Sequence, residues 1–332
     1  MKTKFSVMLN GIYSMHEIPA LARQIEAYGF DEFHVADDLL FRPAWPLLAL
    51  AARETNTIKL GPFIVTPQLA HPVYHASNLA ALDELSGGRA IGGIGRGGLN
   101  SLVGIEKPRH PVRFVREGLE LMRHVLAGKQ QAFNGEFFHA QAELVLQYPI
   151  PRPDVPLYIG SWGPQMARMA GSVAAGVKAD CVADPNYLRQ LKTALLDGAK
   201  AAERPADEVT FVVGPLCSIA NDRAHALRSI RELLALLQPF LSPMVENLGL
   251  DSEAVGRAAE RFDAGDHDGA VALVSDAAVA AFSPTGTPAD IIPRIESLID
   301  AGADNIAFGT PLGPDPNEAL RLLATQVLPY FH

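Results

Sequence analysis

Cysteine is scarce in this sequence, and so are long apolar runs. Only Cys181 and Cys217 occur among 332 residues, far apart and with no metal or redox spacing. Two isolated thiols inside apolar runs are typical of buried side chains in a reducing compartment, so we expect a cytoplasmic protein. No stretch of about 18 uninterrupted apolar residues is present, and the N-terminal segment reads as a first strand, not as a signal peptide. We therefore expect no membrane partner.

Positive charge and metal-ligand motifs are also in short supply. Lysine and arginine total 28 against 37 acidic residues, which gives a formal net charge of -9. This balance argues against nucleic acid as a partner. The ten histidines form neither HxH nor HExxH. His71 and His75 have the spacing of two ligands on a helix, but no third ligand is evident, so we predict a structural role and no metal site.

The sequence does contain a regular alternation of strand and helix patterns. Parallel strands joined by helical crossovers build either an open doubly wound sheet or a closed barrel. Eight strand–helix units without a midpoint favour an α/β fold of the (β/α)₈ TIM barrel type, as a single domain over residues 1–332. Two departures from the rhythm, about 131–147 and 222–285, are interpreted as insertions after strands four and seven.

Active sites of such barrels lie at the carboxyl ends of the strands. The predicted strand ends are Asn10, Asp37-Asp38, Val65-Thr66, 95–100, 161–165, Asp184, 217–220 and Gly309-Thr310. None of these ends carries a lysine, which argues against a lyase or isomerase that would use a lysine or a pair of carboxylates.

The stretch from Pro72 to Asn100 predicts a helix, a tight turn and a strand that ends in a glycine-rich loop. The apolar stripe of the helix comprises Ala76, Leu79, Ala80, Leu82 and Leu85. Gly87 and Gly88 follow it, because glycine reaches left-handed dihedrals without steric cost. The strand and loop then contain Gly92, Gly93, Gly95 and Gly97. Spacing alone is equally consistent with a crowded helix–strand crossing and with close approach of a flat ligand.

Residues 160–165, with the sequence GSWGPQ, follow the fifth predicted strand and open a helix. A helix N-terminus offers unpaired N–H groups and a partial positive charge, so the segment suits a phosphate group. It is not a Walker loop, because no Gly-Lys-Ser/Thr is present. An ordinary capped helix is the alternative.

Asp37 and Asp38 close the second predicted strand. Adjacent strand residues point to opposite sides, so we do not expect a carboxylate pair between them. One of the two is predicted to face the barrel mouth as a hydrogen-bond acceptor. The alternative is that both cap the turn.

Ten short segments together carry a family signature: 57–61, 65–66, 71–72, 82–90, 93–95, 111–128, 135–138, 156–159, 163–164 and 170–171. They resemble the luciferase-like flavin-dependent oxidoreductases. The resemblance is greatest to their deazaflavin branch, the coenzyme F420-dependent methylenetetrahydromethanopterin reductases. It covers most of residues 1–220 and returns at 286–310.

This resemblance implies where a cofactor would bind. The phosphate end of coenzyme F420, or alternatively of FMN, would lie on Ser161, Trp162, Gly163, Pro164 and Gln165. The ring would lie against a bulge at Ile64, Val65 and Thr66, with a non-prolyl cis peptide carried over to the Ile64–Val65 bond. The ring edge would meet Gly95, Arg96, Gly97, Gly98 and Asn100.

The resemblance also implies the candidates for catalysis. Asp37 matches an aspartate of the family and is also a cofactor-binding candidate, while Asp38 stands where many relatives have histidine. Gly98 stands near the position where many relatives have a glutamate that donates a proton. Asp37 and Asp38 are therefore the catalytic candidates, and Arg96 is a candidate for orienting an anionic substrate.

The implied function is hydride transfer between F420 and a small organic substrate, by a homodimer. The alternative is an FMN-dependent luciferase-like monooxygenase. Outside this class, a cofactor-binding protein without turnover and a non-redox barrel enzyme remain as hypotheses. The segment at about 225–285 resembles nothing specific, and we expect it to roof the pocket and set specificity.

Overall fold

The structure is a computed structural model and describes residues 2–39 and 41–331. Its strands, in chain order from β1 to β12, are Lys4–Leu9, Glu32–Val35, Lys59–Pro62, Gly92–Gly95, Phe133–Asn134, His139–Ala140, Leu157–Gly160, Gly176–Asp180, Thr210–Gly214, Leu216–Ile219, Thr285–Gly286 and Asn305–Leu312. The predicted strand ends at Asn10, 95–100 and 161–165 lie at or directly after the ends of β1, β4 and β7.

Parallel strands form the barrel, in the order β3-β2-β1-β12-β9-β8-β7-β4 among the described residues. Bridges from Leu60 to Ala90 and from Val65 to Ile94 bring the two end strands, β3 and β4, together. The ring is therefore nearly closed, which confirms the predicted barrel.

Helices surround the barrel and connect its strands. From α1 to α14 they are Ile18–Ala27, Ala44–Glu54, Pro72–Ser86, Pro111–Leu126, Pro164–Val173, Pro185–Ala201, Arg223–Leu237, Met244–Asn247, Ser252–Asp263, His267–Leu273, Asp276–Phe282, Pro288–Asp300, Pro316–Leu322 and Leu328–Phe331. A π-helical turn over Leu323–Val327 joins the last two. Among the described helices, none has the length and apolar character needed to cross a membrane.

Helix α3 begins and ends where its sequence predicts. One residue of the predicted apolar stripe, Leu85, does not lie on the buried face. Gly87 and Gly88 follow the helix with φ of +67° and +87°. Leu85 is 41 % exposed, whereas Asp83 is completely buried. The Arg152 guanidinium reaches both carboxylate oxygens of Asp83 at 3.0–3.1 Å through Nε. This ion pair places a charged residue on the inner face and leaves Leu85 outside.

The hairpin β5–β6 forms where Asn134-Gly135 predicts one, but its loop has four residues, 135–138, instead of two. The cause is Glu117 on α4, which is buried under the loop and accepts a hydrogen bond from the Phe137 amide at 2.8 Å. A β-carbon on Gly135 would lie 2.3 Å from Glu117 Oε2. The loop therefore wraps around a carboxylate.

Two predicted strand ends are wrong. The seventh predicted strand is divided at Pro215 into β9 and β10, because proline cannot donate to a strand ladder. The predicted strand end at Asp184 is also wrong, because β8 ends at Asp180. Asp184 instead caps α6, where its carboxylate accepts from the Tyr187 amide at 2.7 Å.

Candidate active site

The chain bulges into the barrel mouth immediately after β3. Phe63 N–H donates to Val35 O, and Val65 N–H donates to Gly93 O, both at 2.8 Å. Ile64 lies between these two anchors. A non-prolyl cis peptide joins Phe63 to Ile64, one residue earlier than the predicted Ile64–Val65 bond. The bulge is therefore tied to the strands on both of its sides.

The glycines around this bulge make room for the side chain of Ile64. A β-carbon on Gly160 would lie 2.4 Å from Ile64 Cγ2. A β-carbon on Gly95 would lie 2.7 Å from Ile64 Cδ1, and a β-carbon on Gly93 would lie 3.0 Å from Ile64 Cγ2. Gly92 is crowded in turn by Leu79 of α3, at 3.1 Å. Packing thus accounts for Gly92, Gly93 and Gly95, which the sequence left open between packing and ligand contact.

The loop after β4 is held by its own polar side chains. Thr66 Oγ1 donates to Arg96 O at 3.0 Å, and Asn100 Nδ2 donates to the same oxygen at 3.0 Å. Thr66 and Asn100 are both buried, so these two predicted ligand-binding side chains shape the loop. Gly97 has a φ of +77° in the turn. Gly98 is exposed, with nothing within 4 Å of its would-be β-carbon.

Arg96 is the charged residue of this loop. It is half-buried, and its guanidinium makes no ion pair with any residue that the structure describes. The histidines that precede the loop in sequence are both engaged. His71 Nδ1 accepts from Val73 N–H at 3.4 Å, and His75 Nε2 lies 3.0 Å from Thr66 O. The described residues contain no cluster suited to a metal ion.

The segment between β7 and α5 is a helix N-terminus without a side-chain cap. Ser161 Oγ accepts from Gly163 N–H at 2.9 Å, and no side chain caps the helix at Gly163. The Trp162 indole donates to Asp180 O, and Tyr187 Oη donates to Trp162 O at 2.6 Å. The first-turn amides of Gln165 and Met166 have no acceptor within the helix. This arrangement suits an anionic group better than the capped-helix alternative.

The two aspartates after β2 have different surroundings. Asp37 Oδ1 accepts from the Ala44 amide at 2.9 Å and so caps α2. Asp38 has an exposed side chain at the barrel mouth, although protein atoms surround much of its carboxylate. That carboxylate has neither a hydrogen-bond donor nor an ion-pair partner within residues 2–39 and 41–331.

Strand β8 supplies two charged residues that sequence reasoning missed. Lys178 is completely buried in the barrel, with Nζ 2.9 Å from Asp180 Oδ1 and 4.9 Å from the centroid of the Phe63 ring. The contact to Asp180 has the geometry of an ion pair and not of a hydrogen bond. Lys178 lies in the middle of β8, two residues before the strand ends, so a search of the strand ends for lysine did not find it. The signal was a Lys-x-Asp spacing inside an apolar run, which puts both side chains on one face.

The surroundings of Asp38 raise its pKa above the ordinary value of an aspartate. Crowding by protein atoms, with Asp180 and Asp37 as neighbouring negative charges, raises the pKa of Asp38 to about 6, and Lys178 partly opposes the rise. Burial, followed by Asp180 and Asp38, raises the pKa of the Cys181 thiol, which stays neutral.

Below Lys178, a buried polar network fills the barrel floor. His34 stacks on Phe63 with a centroid distance of 4.0 Å, and its Nε2 lies 3.0 Å from Glu32 Oε2. Asn305 Nδ2 donates to the same carboxylate at 3.0 Å. Burial, and then the charge of Lys178, lowers the pKa of His34.

Comparisons with known proteins agree with this geometry. The sequence profile of the luciferase-like monooxygenase family matches residues 2–305. The chain is 31% identical over 331 residues to a 5,10-methylenetetrahydromethanopterin reductase of Methanopyrus kandleri, covering 95% of each chain. It is 29% identical over 328 residues to an F420-dependent glucose-6-phosphate dehydrogenase of Nakamurella multipartita, covering 94% of this chain and 91% of the other.

A solved structure is similar over the whole length. The coenzyme F420 dependent tetrahydromethanopterin reductase from Methanopyrus kandleri superimposes with a TM-score of 0.91 at 30% identity, covering 100% of both chains. The superposition therefore spans the segments that form the bulge, the loop after β4 and the N-terminus of α5.

Proposed function

Because the chain belongs to the luciferase-like monooxygenase family, we propose that it is an F420-dependent oxidoreductase that transfers hydride between the deazaflavin and a small organic substrate. The observation that carries the proposal is the Ile64 bulge, held within the same barrel mouth as the uncapped N-terminus of α5. Two of the three relatives above are named for F420, which ranks it above FMN. Their substrates differ, so the relatives do not fix the substrate of this chain.

The residues of the mouth fit such a cofactor in separate roles. The amides of Gln165 and Met166, with the positive end of the α5 dipole, would bind its phosphate. The Ile64 bulge would support one face of the ring and leave the other to the substrate. The open space at Gly98 and the unpaired Arg96 would lie at the ring edge. When bound, F420 supplies the hydride chemistry, and the protein supplies orientation.

The helices from α7 to α11 are proposed to set specificity. Tyr187, whose hydroxyl donates to Trp162 O, also interacts with Asn247 of α8. This contact joins the helical segment to the proposed phosphate loop, so substrate and cofactor would be covered by the same part of the chain.

A homodimer in the cytoplasm is the proposed assembly and location. The outer face of α3 exposes Tyr74 and Leu85, at 69 % and 41 %. Large apolar side chains in such positions are typical of subunit interfaces. Cys181 and Cys217 are both free thiols, which supports a reducing compartment.

A thermal unfolding series tests the cofactor. We expect F420 to raise the melting temperature of the purified protein in a concentration-dependent way, and FMN to raise it less. Gly163→Asp places a carboxylate at the N-cap of α5, where it would satisfy the free amides and repel a phosphate. This variant should keep its fold and lose the response to F420.

His110→Asp is the matched control, because His110 is the uncapped N-cap residue of α4. It should improve a helix cap equally and leave the F420 response intact. Failure of the unmodified protein to respond to either cofactor would contradict the proposed function. A response to FMN alone would favour the monooxygenase.

A further inference from the structure

Lys178 is a buried cation that contacts the residue from which the Ile64 bulge starts. Its Nζ lies 4.9 Å from the centroid of the Phe63 ring and 2.9 Å from Asp180 Oδ1. Phe63 also stacks on His34 with a centroid distance of 4.0 Å. A cation placed over an aromatic ring and away from water is attracted to that ring. The position of the Phe63 ring therefore depends on the ammonium of Lys178 as well as on His34.

The main chain of Lys178 supports a different part of the proposed cofactor site. Its carbonyl oxygen accepts a hydrogen bond from Ser161 N–H at 3.0 Å, at the start of the proposed phosphate loop. Two residues further along β8, Asp180 O accepts from the Trp162 indole. Lys178 thus contacts the bulge through its side chain and the phosphate loop through its main chain.

The barrel leaves Lys178 little freedom to move. Its side chain is completely buried, and a β-carbon on Gly214 of β9 would lie 3.1 Å from Lys178 Cε. Phe63 is equally confined, since a β-carbon on Gly93 of β4 would lie 2.9 Å from its Cδ1. Close-packed interiors transmit displacement from one side chain to the next. A change at Lys178 should therefore move the bulge relative to the phosphate loop.

We propose that Lys178 is a positioning residue that fixes the spacing between the Ile64 bulge and the phosphate loop. The inference rests on the proposed function, in which one cofactor spans both parts. A ligand that bridges two subsites binds tightly only where their spacing matches it, because its second group then binds at a high effective concentration. Lys178 acts on the affinity for the intact cofactor through Phe63 and Ser161.

Hydrogen exchange of the cofactor-free protein is the first test. Lys178→Met keeps a side chain of similar length and removes the charge. It should accelerate amide exchange about tenfold in two segments together, 63–66 and 160–163, while the other strands keep their parent rates. Lys178→Met/Asp180→Asn removes both members of the ion pair, so no unpaired charge is left behind. It should accelerate the same two segments.

Lys192→Met is the matched control. Lys192 of α6 forms an ion pair with Asp304 at 2.7 Å, and Asp304 precedes β12 at the end of the barrel away from the mouth. This variant should leave both segments unchanged. The proposal is overturned if the two Lys178 variants accelerate exchange in only one of the segments, or uniformly across the chain.

The second test compares the intact cofactor with its two parts. F420, a phosphate-free deazaflavin and inorganic phosphate are titrated separately into each variant. Lys178→Met should weaken F420 binding about 10- to 100-fold, because ring and phosphate no longer fit their subsites at once. It should change the affinity for either part less than about threefold, since each subsite by itself is kept. A residue that only supports the fold would weaken all three probes alike, and that result would refute the proposal.

A double-mutant cycle tests whether Phe63 is the link. Phe63→Leu removes the ring that Lys178 contacts. Adding Lys178→Met to Phe63→Leu should therefore weaken F420 binding much less than Lys178→Met does in the parent. Equal losses in the two backgrounds would refute a link through Phe63.

The outcomes separate this inference from the proposed function. If the parent protein binds neither F420 nor FMN, the proposed function fails, while hydrogen exchange still decides whether Lys178 joins the two segments. If the parent binds F420 and Lys178→Met binds it equally well, the proposed function stands and the role of Lys178 is refuted.

Discussion

At the scale of single residues, the site depends on side chains whose effect comes from their neighbours. Ile64 fills a space bounded by three glycines, and the pKa of Asp38 is raised by crowding from protein atoms and then by the charges of Asp180 and Asp37. Neither the packing of Ile64 nor the raised pKa of Asp38 is a property of that residue alone. Substitutions of the neighbours are therefore the sharpest tests of both.

Gly160→Ala should disturb the bulge through its β-carbon, which would lie 2.4 Å from Ile64 Cγ2. Overpacking of this kind costs about 1–3 kcal/mol. We expect lower stability in urea and weaker F420 binding. Adding Ile64→Ala removes the clashing atoms, so the double variant should be more stable than Gly160→Ala alone. Gly98→Ala, with nothing within 4 Å, is the control and should unfold like the parent.

Asp38→Asn should stabilise the fold in a pH-dependent way. The pKa of Asp38 is raised to about 6 in the folded protein, so the folded state holds this proton more tightly than the unfolded chain. That favourable contribution is present at acid pH and is lost as pH rises through about 6. Asn mimics the protonated form, so the melting temperature should rise more at pH 8 than at pH 5. An equal change at both pH values would show that charge crowding is not the cause.

At the scale of elements, β8 joins the two functional parts of the mouth. Its Lys178 O accepts from Ser161 N–H at 3.0 Å, and its Asp180 O accepts from the Trp162 indole. The same strand presents the Lys178–Asp180 pair to the barrel interior. Displacement of β8 would therefore affect both the proposed phosphate site and the Lys178–Asp180 pair.

A second link between elements is the Asp83–Arg152 ion pair, which ties α3 to the loop before β7. Asp83 is completely buried, and Arg152 Nη2 also donates to Ala90 O at 2.7 Å. Arg152→Ala leaves the carboxylate buried without its cation, so we expect a loss of about 3 kcal/mol in the free energy of unfolding. Arg116→Ala breaks only a surface pair with Glu120 and should cost less than about 1 kcal/mol. Equal losses in a denaturant titration would contradict the argument.

At the scale of the whole molecule, one barrel carries both the site and the outer surfaces through which copies could associate. The apolar residues on the outside of α3 contrast with a net charge of -9 over the chain. Because apolar side chains are concentrated on the outside of α3, we expect copies of the chain to associate through that face.

Tyr74→Asp should therefore convert the proposed homodimer to a monomer, because a carboxylate would be buried at the α3 face. Light scattering after size exclusion measures the mass directly. Tyr330→Asp is the control, since Tyr330 is 61 % exposed on α14, away from this face. A parent protein that is already a monomer, or a Tyr74→Asp dimer, would exclude this interface.

Much of the fold could be predicted because it depends on local and periodic signals. The glycines that end α3 were predicted for this reason. Errors occurred where a distant residue intervened, as when Glu117 enlarged the hairpin loop and Arg152 drew Asp83 inward.

The sequence by itself determined the alternation of strands and helices, the barrel and the family, because periodicity and motif spacing are properties of contiguous residues. Only the tertiary structure decided what the glycines of β4 pack against and which carboxyl faces the mouth. It also placed Lys178 beside Asp180 at the centre of the barrel. Those features arise between strands that are far apart in the chain, and contact energies and shifted pKa values depend on distance in space.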